Sequence, residues 1–235
     1  MLSQNSRLRA MKSLLYSYYV DFKSFYGIYI GIMTGLLLSK LALSSSASGS
    51  SSLGAGLVNG MFMLPIAMII ITSNSELLKK FSFPVDRNML VFSHIILILV
   101  LPVIMLLTSC GFHLLETLAA EIALTATGNF FYTWVITKDS FLVGFALSYI
   151  IMVCVGGITW MVFAWFYRHK IATSVVCGTF LLALIYLRNF RDAFLNLINL
   201  IVYSPSPGML FLKFSAITLI SFAVGYIPIK RMEVK

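Results

Sequence analysis

Residues 73–107 read SNSELLKKFSFPVDRNMLVFSHIILILVLPVIMLL, and this stretch decides the fold. From Asn88 to Leu107 no Asp, Glu, Lys or Arg interrupts the run. A helix of about 20 apolar residues is what roughly 30 Å of bilayer hydrocarbon requires. The residues just before it are of another kind. Ser73 and Glu76 have the spacing of a capping box, in which each side chain satisfies a backbone N–H at the other's position. Leu77, Leu78 and Phe81 make an apolar patch with Lys79 and Lys80 beside it, Pro84 stops the helix, and Asp86 is placed to cap the next one. The pattern predicts a short, capped, basic helix held between two membrane spans. It is either a lever that a soluble partner pushes or an interfacial turn whose lysines fix topology.

Outward from this stretch, the whole chain has the same character. Of 235 residues, 60% are hydrophobic and 11% charged, with a mean hydropathy of +0.95. A soluble exterior needs far more polar groups than that. Membrane-length apolar runs are expected at about 26–43, 55–71, 88–107, 141–167, 171–187 and 209–229, which makes an all-α integral membrane protein of six transmembrane helices. The net charge of +9 does not point to nucleic acid, because the basic residues gather at the ends of spans rather than in one patch. With the N-terminus inside, the inner segments hold Arg7, Arg9, Lys12, Lys23, Lys79, Lys80, Arg87, Arg168, Lys170, Lys230, Arg231 and Lys235. The outer segments hold Lys40, Lys138, Arg188, Arg191 and Lys213, so twelve face five. The positive-inside rule then predicts both ends cytoplasmic, in a plasma or inner membrane, with 230–235 as a cytoplasmic tail.

Residues 1–25 read as an amphipathic helix lying at the interface: Leu8, Met11, Leu15, Tyr18, Phe22 and Phe25 recur at spacings of three and four. This charged opening is not the pattern of a secretory signal. The first span carries Gly27, Gly31 and Gly35 on one face, where small residues let another helix approach closely. That helix belongs either to a second subunit or to the same chain. A serine-rich stretch, 44–52, is expected to be a flexible outer link. His94, inside the third span, is either a packed, hydrogen-bonded group or a proton relay. Residues 108–140 are expected to form the largest outer segment, with His113, Glu116 and Glu121 on a short helix whose spacing matches no zinc motif. Residues 189–208 begin too polar to cross, and the face of Phe194, Leu197, Ile198 and Ile201 suits a helix lying at, or dipping into, the outer surface. Lys213 is then expected to snorkel outward from the start of the last span. Cys110, Cys154 and Cys177 have no metal spacing.

The chemistry of an independent catalyst is missing. No G-x-x-x-x-G-K-[ST], H-E-x-x-H or G-x-S-x-G occurs, and no pair of carboxylates is set for acid–base work. No enzyme and no cofactor bound by this chain are expected. No acidic residue lies near the middle of a span, which weighs against a proton- or sodium-coupled secondary carrier.

The order of parts resembles the membrane subunit of the ABC-2 type ABC exporters, with a type V exporter-like architecture. The likeness rests on the N-terminal interfacial helix, the six spans, the turn ending Phe83-Pro-Val-Asp-Arg87 and the return through Tyr203-Ser-Pro-Ser-Pro-Gly208. Members commonly end that turn in a Leu-Pro-Val-x-Arg-like sequence; here phenylalanine stands for leucine. The resemblance implies a half-transporter facing a second permease subunit, identical or similar, above a pair of separate ABC ATPase subunits that hold ATP and magnesium. It implies a coupling helix at about 74–83, with Ser75, Glu76, Leu77, Leu78, Lys79, Lys80, Phe81 and Pro84, and a smaller ATPase contact at Arg168, His169 and Lys170. Residues 8–25 would be the connecting helix, and Gly27, Gly31 and Gly35 would lie at the subunit interface. The cargo would be amphipathic, a peptide, drug or lipid-like molecule. Trp160, Phe163, Trp165 and Tyr186 suit such a cargo and equally suit core and interfacial belt. The rival readings are a secondary carrier acting without ATP and a non-transporting anchor or immunity subunit.

Overall fold

The computed structural model describes residues 87–123, 141–202 and 206–230, together with helical residues interspersed between Lys12 and Leu38. Among the described residues every regular element is helical. Five helices follow one another: α1 (Arg87–Ala123), α2 (Phe141–Arg168), α3 (Lys170–Tyr186), α4 (Arg188–Val202) and α5 (Pro207–Lys230). Three contain stretches long and apolar enough to cross a bilayer: Val91–Phe112 of 22 residues, Leu142–Arg168 of 27 and Pro207–Lys230 of 24. The bent pair α3–α4, which turns by 101° at Leu187, qualifies jointly as a fourth. The chain is a helical membrane protein. The apolar runs expected at 88–107, 141–167 and 209–229 fall in α1, α2 and α5; the run expected at 171–187 forms α3, which is long and apolar enough to cross only together with α4. The second span, the serine-rich link, the 73–86 turn, residues 124–140 and the C-terminal tail lie outside the described residues.

Helix α1 differs from expectation in length. It runs for 37 residues, through Pro102 and on through the segment expected to be an outer loop. At 1.5 Å per residue that is about 55 Å, well beyond the hydrocarbon. The polar residues after Leu107 do not end it, because they are absorbed by the helix itself. The Thr108 hydroxyl donates to the Ile104 carbonyl at 2.8 Å and the Ser109 hydroxyl to the Met105 carbonyl at 2.9 Å. His113, Glu116 and Glu121 therefore sit on this same helix and not on a separate short one.

The core is the pairing of α2 with α5, onto which α1 packs. Lipid is as apolar as leucine, so such helices associate by close van der Waals fit at small residues. A Cβ on Gly157 would touch Thr218, Ser221 and Phe222 at 3.6–3.7 Å, ordinary contact. Gly225 admits no Cβ at all: it would lie 2.5 and 2.7 Å from the six-membered ring of Trp160. That indole is fully buried, meets Phe222 edge-on at 5.9 Å, and sits in a cluster with Val91, Ile98, Val153, Ala164 and Ile229.

Two prolines mark the ends of α5. Pro207 occupies the first helical position, behind Ser206, whose hydroxyl accepts the Met209 N–H at 3.3 Å as an N-cap. Pro228 lacks the N–H that would have reached the Val224 carbonyl. The Trp165 indole N–H donates to that same carbonyl at 3.3 Å, so a neighbouring helix fills the gap the proline leaves.

Candidate functional site

One end of the bundle gathers the start of α1 and the ends of α2 and α5. The Tyr226 hydroxyl donates to Asn88 Oδ1 at 3.0 Å, and Arg168 Nη1 points at the Pro228 carbonyl at 3.5 Å. Arg87, Arg168, Lys170 and Lys230 all belong to this end, whereas Arg188, Arg191 and Lys213 belong to the other. The three residues expected at the α2–α3 turn fare differently. Arg168 is half-buried and directed at one of the last, otherwise orphaned, carbonyls of α5, where a cation also suits the helix dipole. His169 is exposed and is the single residue between the helices; its N–H reaches the Trp165 carbonyl and its carbonyl accepts from Thr173, both at 2.9 Å. Its ring lies 5.9 Å from that of Trp165. Lys170 is exposed. The outward face of this turn is therefore His169 and Lys170, with Arg168 serving the bundle. Ser75, Glu76, Leu77, Leu78, Lys79, Lys80, Phe81 and Pro84 lie outside the described residues.

The glycine face is open. Gly27, Gly31 and Gly35 are exposed, and a Cβ on any of them would meet nothing within 4 Å. The N-terminal helical residues hold the bundle by another side. Tyr29 is buried and shares a hydrogen bond of 2.8 Å with the Ser109 hydroxyl; Tyr26 pairs with Thr108 at 2.7 Å and stacks on Phe22 at 5.1 Å.

This pairing corrects the expected level of the first span. Hydropathy has Tyr26 open it at the same membrane face at which Asn88 opens the third. The structure joins Tyr26 to Thr108, 20 residues further along α1 (108 − 88), a distance of about 30 Å. The physical reason is polar matching: a buried tyrosine hydroxyl needs a partner, and Thr108 and Ser109 supply hydroxyls at that level.

The third region is the α3–α4 arm. No residue of α3 is buried, and among the described helices it touches only its chain neighbours α2 and α4. Leu187 breaks the arm with extended backbone, φ −100° and ψ 99°. Phe180 of α3 then meets Phe190 and Phe194 of α4 edge-on, at 5.6 and 5.4 Å. At the far end of α4, Lys213 of α5 donates to the Leu200 carbonyl at 2.6 Å. This lysine pins the arm to the bundle.

Sequence reasoning did not find the Trp160–Gly225 notch or the Trp165–Val224 bridge. Gly225 stands alone among larger residues in the last turns of α5, and no spacing motif marks it. His94 and Ser93 are buried in α1, 1% and 2% exposed. Among the described residues no three His, Cys, Asp or Glu side chains gather as a metal site. What the described residues offer is surfaces: a basic end, an open glycine face and an exposed arm. Compared with known proteins, the chain matches no family model, no curated protein and no solved structure.

Proposed function

We propose that the chain is the transmembrane permease subunit of an ATP-driven exporter, coupling a separate ABC ATPase pair to export of an amphipathic peptide, drug or lipid-like molecule. The observation that carries this reading is the α3–α4 arm: a span that breaks at Leu187 into an amphipathic helix, returning through Ser206-Pro207 into the last span. That is the order in which the resembling exporters place their outer re-entrant helices between the fifth and sixth spans. Two further features support it. Helix α3 is uncovered in the single chain, and it belongs to a span that in that family faces a second permease subunit. His169 and Lys170 are exposed at the basic end, where an ATPase would bind.

In this reading the basic end is cytoplasmic and the arm is on the outer side. ATP and magnesium stay in the partner. Closure of the ATPase pair displaces the 75–81 helix and the α2–α3 turn, and the rigid α2–α5 unit passes the displacement on. The chain needs only different contacts in inward- and outward-open states. The test is affinity purification of the tagged chain from native membranes with mass spectrometry of its companions. A P-loop ATPase is expected, and it is expected to be lost from the Leu77→Glu, Phe81→Glu variant. Recovery of the chain alone, still moving solute without ATP, overturns the proposal.

A further inference from the structure

Helix α4 turns by 101° from α3, and its side chains are sorted about that bend. Phe190 and Phe194 both meet Phe180, which lies seven residues before the break at Leu187, about 10 Å down the shaft of α3. The apolar side of α4 therefore faces back along α3, toward the level of the spans. Residues i, i+4, i+8 and i+11 share one side of a helix, so Arg188, Asp192, Asn196 and Asn199 face the opposite way, and all four are exposed. Arg191 falls at the border between the two sides. The helix is held near its start by Phe190 and Phe194 on Phe180 and near its end by Lys213 on the Leu200 carbonyl at 2.6 Å. A helix fixed in this way, apolar toward the spans and polar away from them, lies at the boundary of hydrocarbon and headgroups.

At its first turn two guanidiniums share one carboxylate: Asp192 is 3.8 Å from Arg188 Nε and 3.9 Å from Arg191 Nε. One positive charge is left over, at the depth where lipid phosphates lie, and guanidinium forks match phosphate oxygens. We infer that Arg188 and Arg191 form a binding site for the phosphate of an anionic phospholipid headgroup, with Asp192 holding the two forks side by side and moderating their pull. The inference rests on the membrane character of the chain and stands whether or not the chain is an exporter.

The test uses the full chain in nanodiscs made with equal phosphatidylglycerol and phosphatidylcholine, extracted gently and examined by native mass spectrometry for retained lipid. The wild type is expected to retain phosphatidylglycerol preferentially. Arg188→Gln and Arg191→Gln are each expected to lower that preference by about fivefold, the factor corresponding to one basic residue at an anionic surface. Asp192→Asn frees both guanidiniums and is expected to raise it, an effect that misfolding does not mimic. Equal retention in all four proteins, or a lowered preference in Asp192→Asn, overturns the inference. Inorganic phosphate added to the sample is expected to leave the preference unchanged; competition at low concentration means that the site takes free phosphate and overturns the lipid assignment. In the same nanodiscs a bulky, water-soluble maleimide is expected to label Asn196→Cys above the wild-type background and to spare Leu197→Cys. Equal labelling of the two overturns the orientation on which the site depends.

Discussion

The α2–α5 pair and helix α3 of the arm are built from similarly apolar sequence and end in opposite situations. In the pair, a glycine at 225 receives a fully buried indole, and the carbonyl freed by Pro228 is taken up by Trp165. In the arm, α3 has no buried residue at all. Hydrophobicity does not separate the two, because in lipid an apolar side chain is equally content against a neighbour or an acyl chain. What separates them is relief: small residues set opposite large ones in α2–α5, and none so matched in α3. The packed α2–α5 unit and the exposed α3 are distinguished by packing detail rather than by composition.

The contrast is tested most severely at the indole. Trp160→Ala removes the largest fully buried side chain and is expected to cost about 3–5 kcal/mol, read as a loss of the folded fraction in a reversible detergent-denaturation titration. Filling the notch from the other side comes next. In Gly225→Ala the new methyl meets Trp160 well inside contact distance and the Met161 Cα at 3.1 Å, so backbone or ring must move. An expected cost of about 1–3 kcal/mol follows, while Gly157→Ala, with its nearest neighbour at 3.6 Å, is expected to be close to neutral in the same titration. A Gly225→Ala protein as stable as the parent would mean that the pair is not the rigid part.

The same contrast explains what was legible in the sequence. The apolar runs, interrupted by charge only at Lys213, located α2, α3 and α5 to within two residues, since exclusion of charge from hydrocarbon is a strong and local signal. The amphipathic helix after Leu187 was legible for the same reason, through the period of Phe194, Leu197, Ile198 and Ile201. The end of α1 was not, because Thr108 and Ser109 look like the start of a loop until their hydroxyls are seen to bond back within the helix. The level at which Tyr26 and Tyr29 meet α1 was not legible either: hydropathy says that a helix is in the membrane and says nothing about which turn meets which. Of the candidate site, the shared face of Gly27, Gly31 and Gly35 was legible in their spacing, and all three are exposed, while the half-burial of Arg168 against Pro228 depends on a distant residue that no local pattern names.

A more modest loss is expected where the N-terminal segment meets α1. Tyr29→Phe removes one buried hydroxyl pair with Ser109, and interhelical hydrogen bonds of this kind in membranes are worth about 0.6 kcal/mol on average. The Ser109→Ala change is expected to cost about as much, and the double variant no more than either alone, because both delete the same bond. A double variant whose loss is the sum of the two would show that the hydroxyls act separately and would return the first span to the level that its hydropathy suggests.

Helix α3 should respond least, and its response carries the most information about function. Val176 is 66% exposed on a helix with no buried residue, so Val176→Ala is expected to change the stability of the single chain by less than about 0.5 kcal/mol. If α3 meets a second permease subunit, as proposed, a bulkier change at the same place has a different consequence. Val176→Trp then leaves the single chain folded but lowers the fraction of dimer captured by cross-linking in membranes. If lipid covers α3 instead, both substitutions are silent in both measurements. The two assays together therefore distinguish a face kept open for a partner from one that the bilayer already satisfies, a distinction that the stability of the α2–α5 pair cannot make.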